Sequence, residues 1–161
     1  MAKAALKPPP KDDLYETDFF LWTQAQADLL RARRFEELDL DHLIDEVASV
    51  GASDKREIRN RLTVLIAHLL KWKYQPGVRS SSWKGTIAEQ RAGLAELLDA
   101  SPSLRRYPSD VFAMCYLSGR RKASEQTGID FTLFPEHPPF TLENALSDGF
   151  LPKEPDLIDQ S

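Results

Sequence analysis

Four side chains are of the types that hold divalent metals or exchange protons near neutral pH: His42, Asp45, Glu46 and His68. His42 and Glu46 are four apart, so on a helix they share one face, a turn from each other. His68 follows in a leucine-rich stretch that reads as the next helix. If those two helices run antiparallel, His42, Glu46 and His68 converge as candidate metal ligands, the way carboxylates and imidazoles do inside metal-bearing bundles. The spacing suits that chemistry poorly: Glu-x-x-His and His-Glu-x-x-His are both absent, and one cysteine makes no pair. The plainer reading of His68 is a histidine at the core edge, bonded to a carbonyl or carboxylate. No cofactor is expected.

A second group lies between residues 71 and 91. Lys71, Lys73, Arg79, Lys84 and Arg91 are interleaved with Trp72, Tyr74 and Trp83, a composition in which cations neutralise phosphates and aromatic faces stack on bases. Lys71, Lys73, Tyr74, Arg79, Trp83, Lys84 and Arg91 are therefore candidate nucleic-acid contacts, suited to a single strand rather than to a groove. Charge along the chain supports the grouping. Residues 1–49 carry 6 basic and 11 acidic groups, residues 50–91 carry 9 and 3, and residues 92–161 carry 6 and 11. The same distribution also fits packed helices that complement one another. Against a display on one surface, Lys71 and Trp72 point about 100° apart on a helix, so Trp72 can be core while Lys71 faces out. No helix-turn-helix, zinc-finger or RNA-binding signature is present. Trp83 reads equally as a packing anchor.

Ser80, Ser81 and Ser82 lack the G-x-S-x-G elbow of a nucleophile, and the seven glycines form no phosphate-binding loop. The segment FPEHPPF is a candidate protein contact through Phe134, Pro138, Pro139 and Phe140, because its prolines lower the entropy lost on binding. The competing reading has Phe134 and Phe140 closing the core.

Helices must position all of these groups. The first is expected over Tyr15 to Arg34, with Phe19, Trp22, Leu29 and Leu30 on its apolar side and a basic last turn. Asp39 should cap a second, with Leu43, Ile44, Val47 and Val50 inward and Gly51 as its stop. Ser53 or Asp54 should cap a third, whose stripe of Ile58, Leu62, Leu65, Ile66, Leu69 and Trp72 is the clearest in the chain, ending at Pro76-Gly77. Ser82 is expected to cap a fourth, burying Trp83, Ile87, Leu94, Leu97 and Leu98. Ser101-Pro102 starts a short turn. A fifth helix spans Ser109 to Gln126 with Val111, Met114, Cys115 and Leu117 buried, Gly119 weakening it and Gly128 ending it. Pro138 and Pro139 make the next segment a pinned loop. Thr141 caps a short sixth helix to Leu146. A lone strand over 129–134 has no partner and is rejected.

The fold class is therefore all-α, an irregular bundle of five main helices and a short C-terminal one. A flexible proline-rich arm over 1–12, one helical domain over 13–152 and a flexible tail over 153–161 are the expected divisions. The 161 residues suffice for a core without metals or disulfides. Cys115, in an apolar run, reads as a buried inert thiol. The N-terminus has lysines without a following apolar core, and LTVLIAHLL is far shorter than a membrane span, so a cytoplasmic protein with no membrane partner is expected.

Four strings together resemble a known family: YETDFFLWTQAQADLLRARRFEELDLDHLIDEVASVG, LTVLIAHLLKWKYQPGVRSSSWKGTIAEQR, the SPSLR turn, and TGIDFTLFPEHPPFTLENALSDGFLP. They are similar to the bacterial family of unknown function numbered twenty-nine, over about residues 14 to 152. HLLKWKYQP followed by a serine-rich turn and Trp83 is the most specific part. The family pattern matches at Trp22, Gly51, His68, Lys71, Trp72, Pro76, Trp83 and Arg91, whereas His42 stands where the family more often has asparagine or another polar residue. The resemblance implies an all-α fold and a bacterial cytoplasmic protein, and brings no catalytic activity with it. Of the function classes, a non-enzymatic helical interaction module with a protein partner or self-association ranks first. A nucleic-acid-associated protein ranks second, and a metal-dependent protein or enzyme centred on Glu46 and His68 third.

Overall fold

The computed structural model describes residues 11–155. It is all-α: α1 (Lys11–Thr17), α2 (Phe19–Arg31), α3 (Leu40–Tyr74), α4 (Ser81–Ala100), α5 (Tyr107–Thr127) and α6 (Leu142–Leu146), with single turns of 3-10 helix in the links from α2 onward and no strand among the described residues. No helix among them is long and apolar enough to cross a membrane. The chain divides into two compact units, the first ending at Ala52 and the second beginning at Ser53. The expected N-terminal arm lies mostly outside the described residues, although Lys11 and Asp12 at its end already belong to α1.

In the first unit the expected single helix over 15–34 is two. Asp18 leaves helical geometry and its carboxylate accepts the Leu21 N–H at 2.9 Å, so the side chain that begins α2 also separates it from α1. α2 stops three residues before the predicted end. Arg33 takes a left-handed φ of 56°, Arg34 N–H donates to the Leu29 carbonyl at 2.9 Å and Arg33 N–H to Leu30 at 3.1 Å. That is a Schellman closure with arginine where glycine is usual.

The largest departure is α3, a single helix of 35 residues where two were expected. Gly51 does not end it. Glycine terminates helices by adopting a left-handed conformation, and Gly51 does not adopt one, whereas Gly128 does so after α5 with φ 72°. Ala48 and Ala52 around Gly51 are strong helix formers, and a lone interior glycine costs only about 1 kcal/mol against alanine.

The second unit holds the core. Ile58, Leu62, Leu65, Ile66, Leu69 and Leu70 on α3 are fully buried, together with Ile87 and Leu94 on α4, Cys115, Tyr116 and Ala123 on α5, Phe134 and Phe140 in the loop, and Ala145 on α6. Gly119, expected only to weaken α5, is where that helix meets α3: a Cβ there would stand 2.7 Å from Ile66 Cγ2 and 3.0 Å from the Thr63 carbonyl. Met114 and Leu117, expected inside, are exposed. The cap of α4 is Ser80 rather than Ser82, its hydroxyl accepting the Trp83 N–H at 3.3 Å. Thr141 caps α6 through the Asn144 N–H as anticipated.

Candidate functional site

The trio His42, Glu46 and His68 does not assemble. All three lie on the one helix α3 rather than on two, His42 and Glu46 in the first unit and His68 in the second. Among the described residues no group of three or more histidine, cysteine, aspartate or glutamate side chains is arranged to hold a metal ion. Each residue has a structural partner instead. His42 Nδ1–H donates to Asp39 Oδ2 at 2.7 Å while its ring stacks on Tyr15, centroids 3.8 Å apart. Tyr15 O–H donates to Glu46 Oε1 at 2.6 Å, and Trp22 Nε1–H to Asp39 Oδ2 at 3.0 Å. Gln26, buried beside Trp22, accepts the Asp39 N–H at 2.9 Å. Asp39 thus ties α2 to the start of α3.

Electrostatics follow from those contacts. The hydrogen bond to Asp39 raises the His42 pKa above its ordinary 6.5. Burial pushes the Asp39 carboxyl up, but hydrogen bonds from His42 and Trp22 more than reverse this and leave it below the usual range. The bond to Glu46 pushes the Tyr15 hydroxyl up to about 12. His68 is opposite to His42: burial lowers its pKa, and its Nδ1–H donates to the Val64 carbonyl one turn back at 2.9 Å. That is the core-edge role read from its leucine neighbours.

The basic segment is largely spent within its own unit. Lys71 is buried, donates to Gln126 Oε1 at 3.2 Å and lies 4.5 Å from the Trp83 ring centre. Arg91 is buried and donates to the carbonyls of Ala145 at 2.8 Å and Phe150 at 2.7 Å, clamping α6 and the segment after it onto α4. Burial lowers the pKa of both. Arg79 donates to the Trp72 carbonyl and pairs with Glu154 at 3.0 Å, Lys73 donates to the Lys153 carbonyl, and Tyr74 packs edge-on against Phe134. Lys84 is exposed, its ammonium 5.4 Å from the Trp72 ring centre. The seven candidates therefore do not form one exposed surface. In the FPEHPPF loop the competing reading holds for the two aromatics, since Phe134 and Phe140 are buried; Pro138 is half-buried and Pro139 exposed.

What the sequence reasoning missed is an apolar face left open. Ile44, Val47 and Val50, assigned to the core, are 63, 72 and 67% exposed, and Leu40 is exposed beside them. On α3 the residues Leu40, Leu43, Ile44, Val47 and Val50 cover an arc of about 120°, as wide as the stripe by which a surface helix normally packs on a core. Of these, Leu40, Leu43, Ile44 and Val47 line, with Leu30, Leu38 and Ala48, a groove of about 530 Å³ that is almost wholly apolar. Scattered exposed apolar residues are ordinary; a contiguous apolar groove marks a contact surface. What precedes this face in the first unit is two short helices, and α2, the longer of them, turns only Trp22 and Gln26 inward.

A family model, Domain of unknown function DUF29, matches residues 14–151. The chain belongs to that family. No curated protein and no solved structure matches it. DUF29 membership specifies no site, so the functional reading rests on the groove and its surroundings.

Proposed function

We propose that this DUF29 protein is a helical interaction module whose first unit receives a basic amphipathic helix of a protein partner along the open face of α3. The carrying observation is the apolar groove of Leu30, Leu38, Leu40, Leu43, Ile44 and Val47, the shape and chemistry taken by helix-in-groove recognition. Charge selects the occupant. Between Leu14 and Ala52 there are nine acidic and three basic residues. Arg31 and Arg34 are committed to Asp28 and Glu37, while Asp41 and Asp45 stand exposed on the same helix as the groove. A second copy would bring like charges together, whereas a lysine- or arginine-bearing helix is attracted.

The test uses a labelled leucine-lysine amphipathic helix as probe, followed by fluorescence anisotropy at about 0.15 M salt, where exposed charges are screened beyond about 8 Å. Saturable binding is expected, weakened at least about tenfold by Ile44→Asp with Val47→Asp. These substitutions make the protein more acidic, so attraction by charge alone would tighten binding instead, and that result would overturn the reading. Light scattering that shows a dimer, lost in the same double variant, would overturn it in favour of a second copy.

A further inference from the structure

Three arginine and lysine side chains of the second unit are nine-tenths or more buried, and they are not equally satisfied. Arg91 has two backbone carbonyls, and Lys71 has an amide oxygen and an aromatic face. Arg120, 9% exposed, has only one acceptor: Nη2 donates to the Phe131 carbonyl at 3.1 Å, while Nε has none. Its guanidinium lies over the Phe131 ring, 4.0 Å from the centroid, and no carboxylate is within ion-pair distance among the described residues. A guanidinium carries five N–H donors and a charge that cannot be given up, and here one of the donors, Nε, is buried without an acceptor while the charge has no counter-ion beside it.

A recess of about 410 Å³ opens beside this group, lined by Tyr74, Arg120, Phe131, Leu133, Pro135 and Glu136. Tyr74 also lines the recess, and its hydroxyl makes no hydrogen bond among the described residues, which leaves it available as a second donor. Phe131 and Pro135 supply apolar walls, and Leu133, 69% exposed, stands at the edge. The backbone here is held firmly: Tyr116 O–H donates to the Pro135 carbonyl at 2.7 Å, Phe134 is buried, and Asp130 caps the turn at Phe131–Leu133 through the Thr132 N–H. A planar fork of donors next to a hydroxyl and flat apolar walls matches a planar carboxylate with an apolar body better than a tetrahedral anion, which offers nothing to the walls.

We infer that this recess is a binding site for a small organic monocarboxylate with an aromatic or branched apolar group, its carboxylate on Arg120 and Tyr74 and its body against Phe131 and Pro135. Glu136 also lines the recess and repels negative charge, so a ligand with a single carboxylate, held by Arg120, is favoured over a dicarboxylate.

Phenylacetate is the probe, titrated into the full chain labelled with nitrogen-15 and read from amide and arginine Nε–H resonances. Saturable shifts are expected at Arg120 Nε and at the amides of 131–136, with a Kd of about 1 mM, ordinary for a fragment of this size. Arg120→Lys keeps the charge without the fork and should weaken binding about tenfold. Because Arg120 is buried, Leu133→Asp is the companion variant: it alters only an exposed side chain and should abolish binding by charge. Equal shifts with neutral phenylacetamide, or equal affinity for inorganic phosphate at the same residues, would overturn the carboxylate assignment. Absence of shifts, or binding undiminished in Leu133→Asp, would overturn the site.

Discussion

Within α3, the two units treat the same kind of residue in opposite ways. Beyond Ser53 the stripe Ile58, Leu62, Leu65, Ile66 and Leu69 is fully buried under α4, α5 and the loop that follows; before Ala52 the stripe Leu40, Ile44, Val47 and Val50 is open. Both have the helical period, and both form helix. Periodicity therefore reports the shape of an element, while burial depends on whether the chain supplies a mate for the face. In the second unit α4 and α5 supply it. In the first, α2 spends its buried side chains, Trp22 and Gln26, on locking Asp39 rather than on covering the valines.

The sharpest break of this contrast is a pair of truncations to alanine. Leu62→Ala should cost about 2–5 kcal/mol by leaving a cavity, whereas Val47→Ala should change stability by less than about 0.5 kcal/mol, both read from urea unfolding. Equal losses would mean that the Val47 face is covered in solution. Two glycines give the next largest difference. Gly119→Ala must push Ile66 or the Thr63 backbone away and should cost about 1–3 kcal/mol; Gly51→Ala meets nothing within 4 Å and should stabilise by about 1 kcal/mol. Thermal melts of the two variants moving in the same direction would contradict the packing described for α5. Arg33→Gly should relieve the left-handed strain at the end of α2 and add about 0.5–1 kcal/mol, visible as a higher urea midpoint.

The finest test uses the two histidines of α3. The folded pKa of His42 is raised, so its contribution is complete below the unfolded value near 6.5 and is lost as pH rises through the folded value. His68 has a lowered pKa, so its contribution is present above about 6.5 and is lost as pH falls through that value toward the folded one. Imidazole carbon-bound proton shifts followed against pH should place His42 above and His68 below 6.5, and His42→Asn should remove only the loss on the alkaline side. A His42 midpoint at or below that of His68 would break the opposition.

Much of this was legible in the residues alone. The all-α class, the buried stripe of α3, the Gly128 stop, the Thr141 cap and the core-edge role of His68 each follow from side chains within a few positions of one another. The misreadings also have local causes. Gly51 looks like a terminator because composition does not reveal whether its φ is positive, and Asp18 inside an apolar period gave no cue that its carboxylate would take the Leu21 amide. Lys71 and Arg91 looked like surface cations, yet their acceptors, Gln126 and the carbonyls of Ala145 and Phe150, lie 55, 54 and 59 residues away.

By itself, then, the sequence determined where helix can form and which caps and turns punctuate it, because propensity, capping and periodicity act over a few residues and need no distant partner. Only the tertiary structure decided which apolar face is covered, which cation is satisfied and which is left in want of an anion. Those outcomes depend on long-range pairing, where one stripe competes with another for the same mate and a charge can be buried only if some far segment brings it an acceptor.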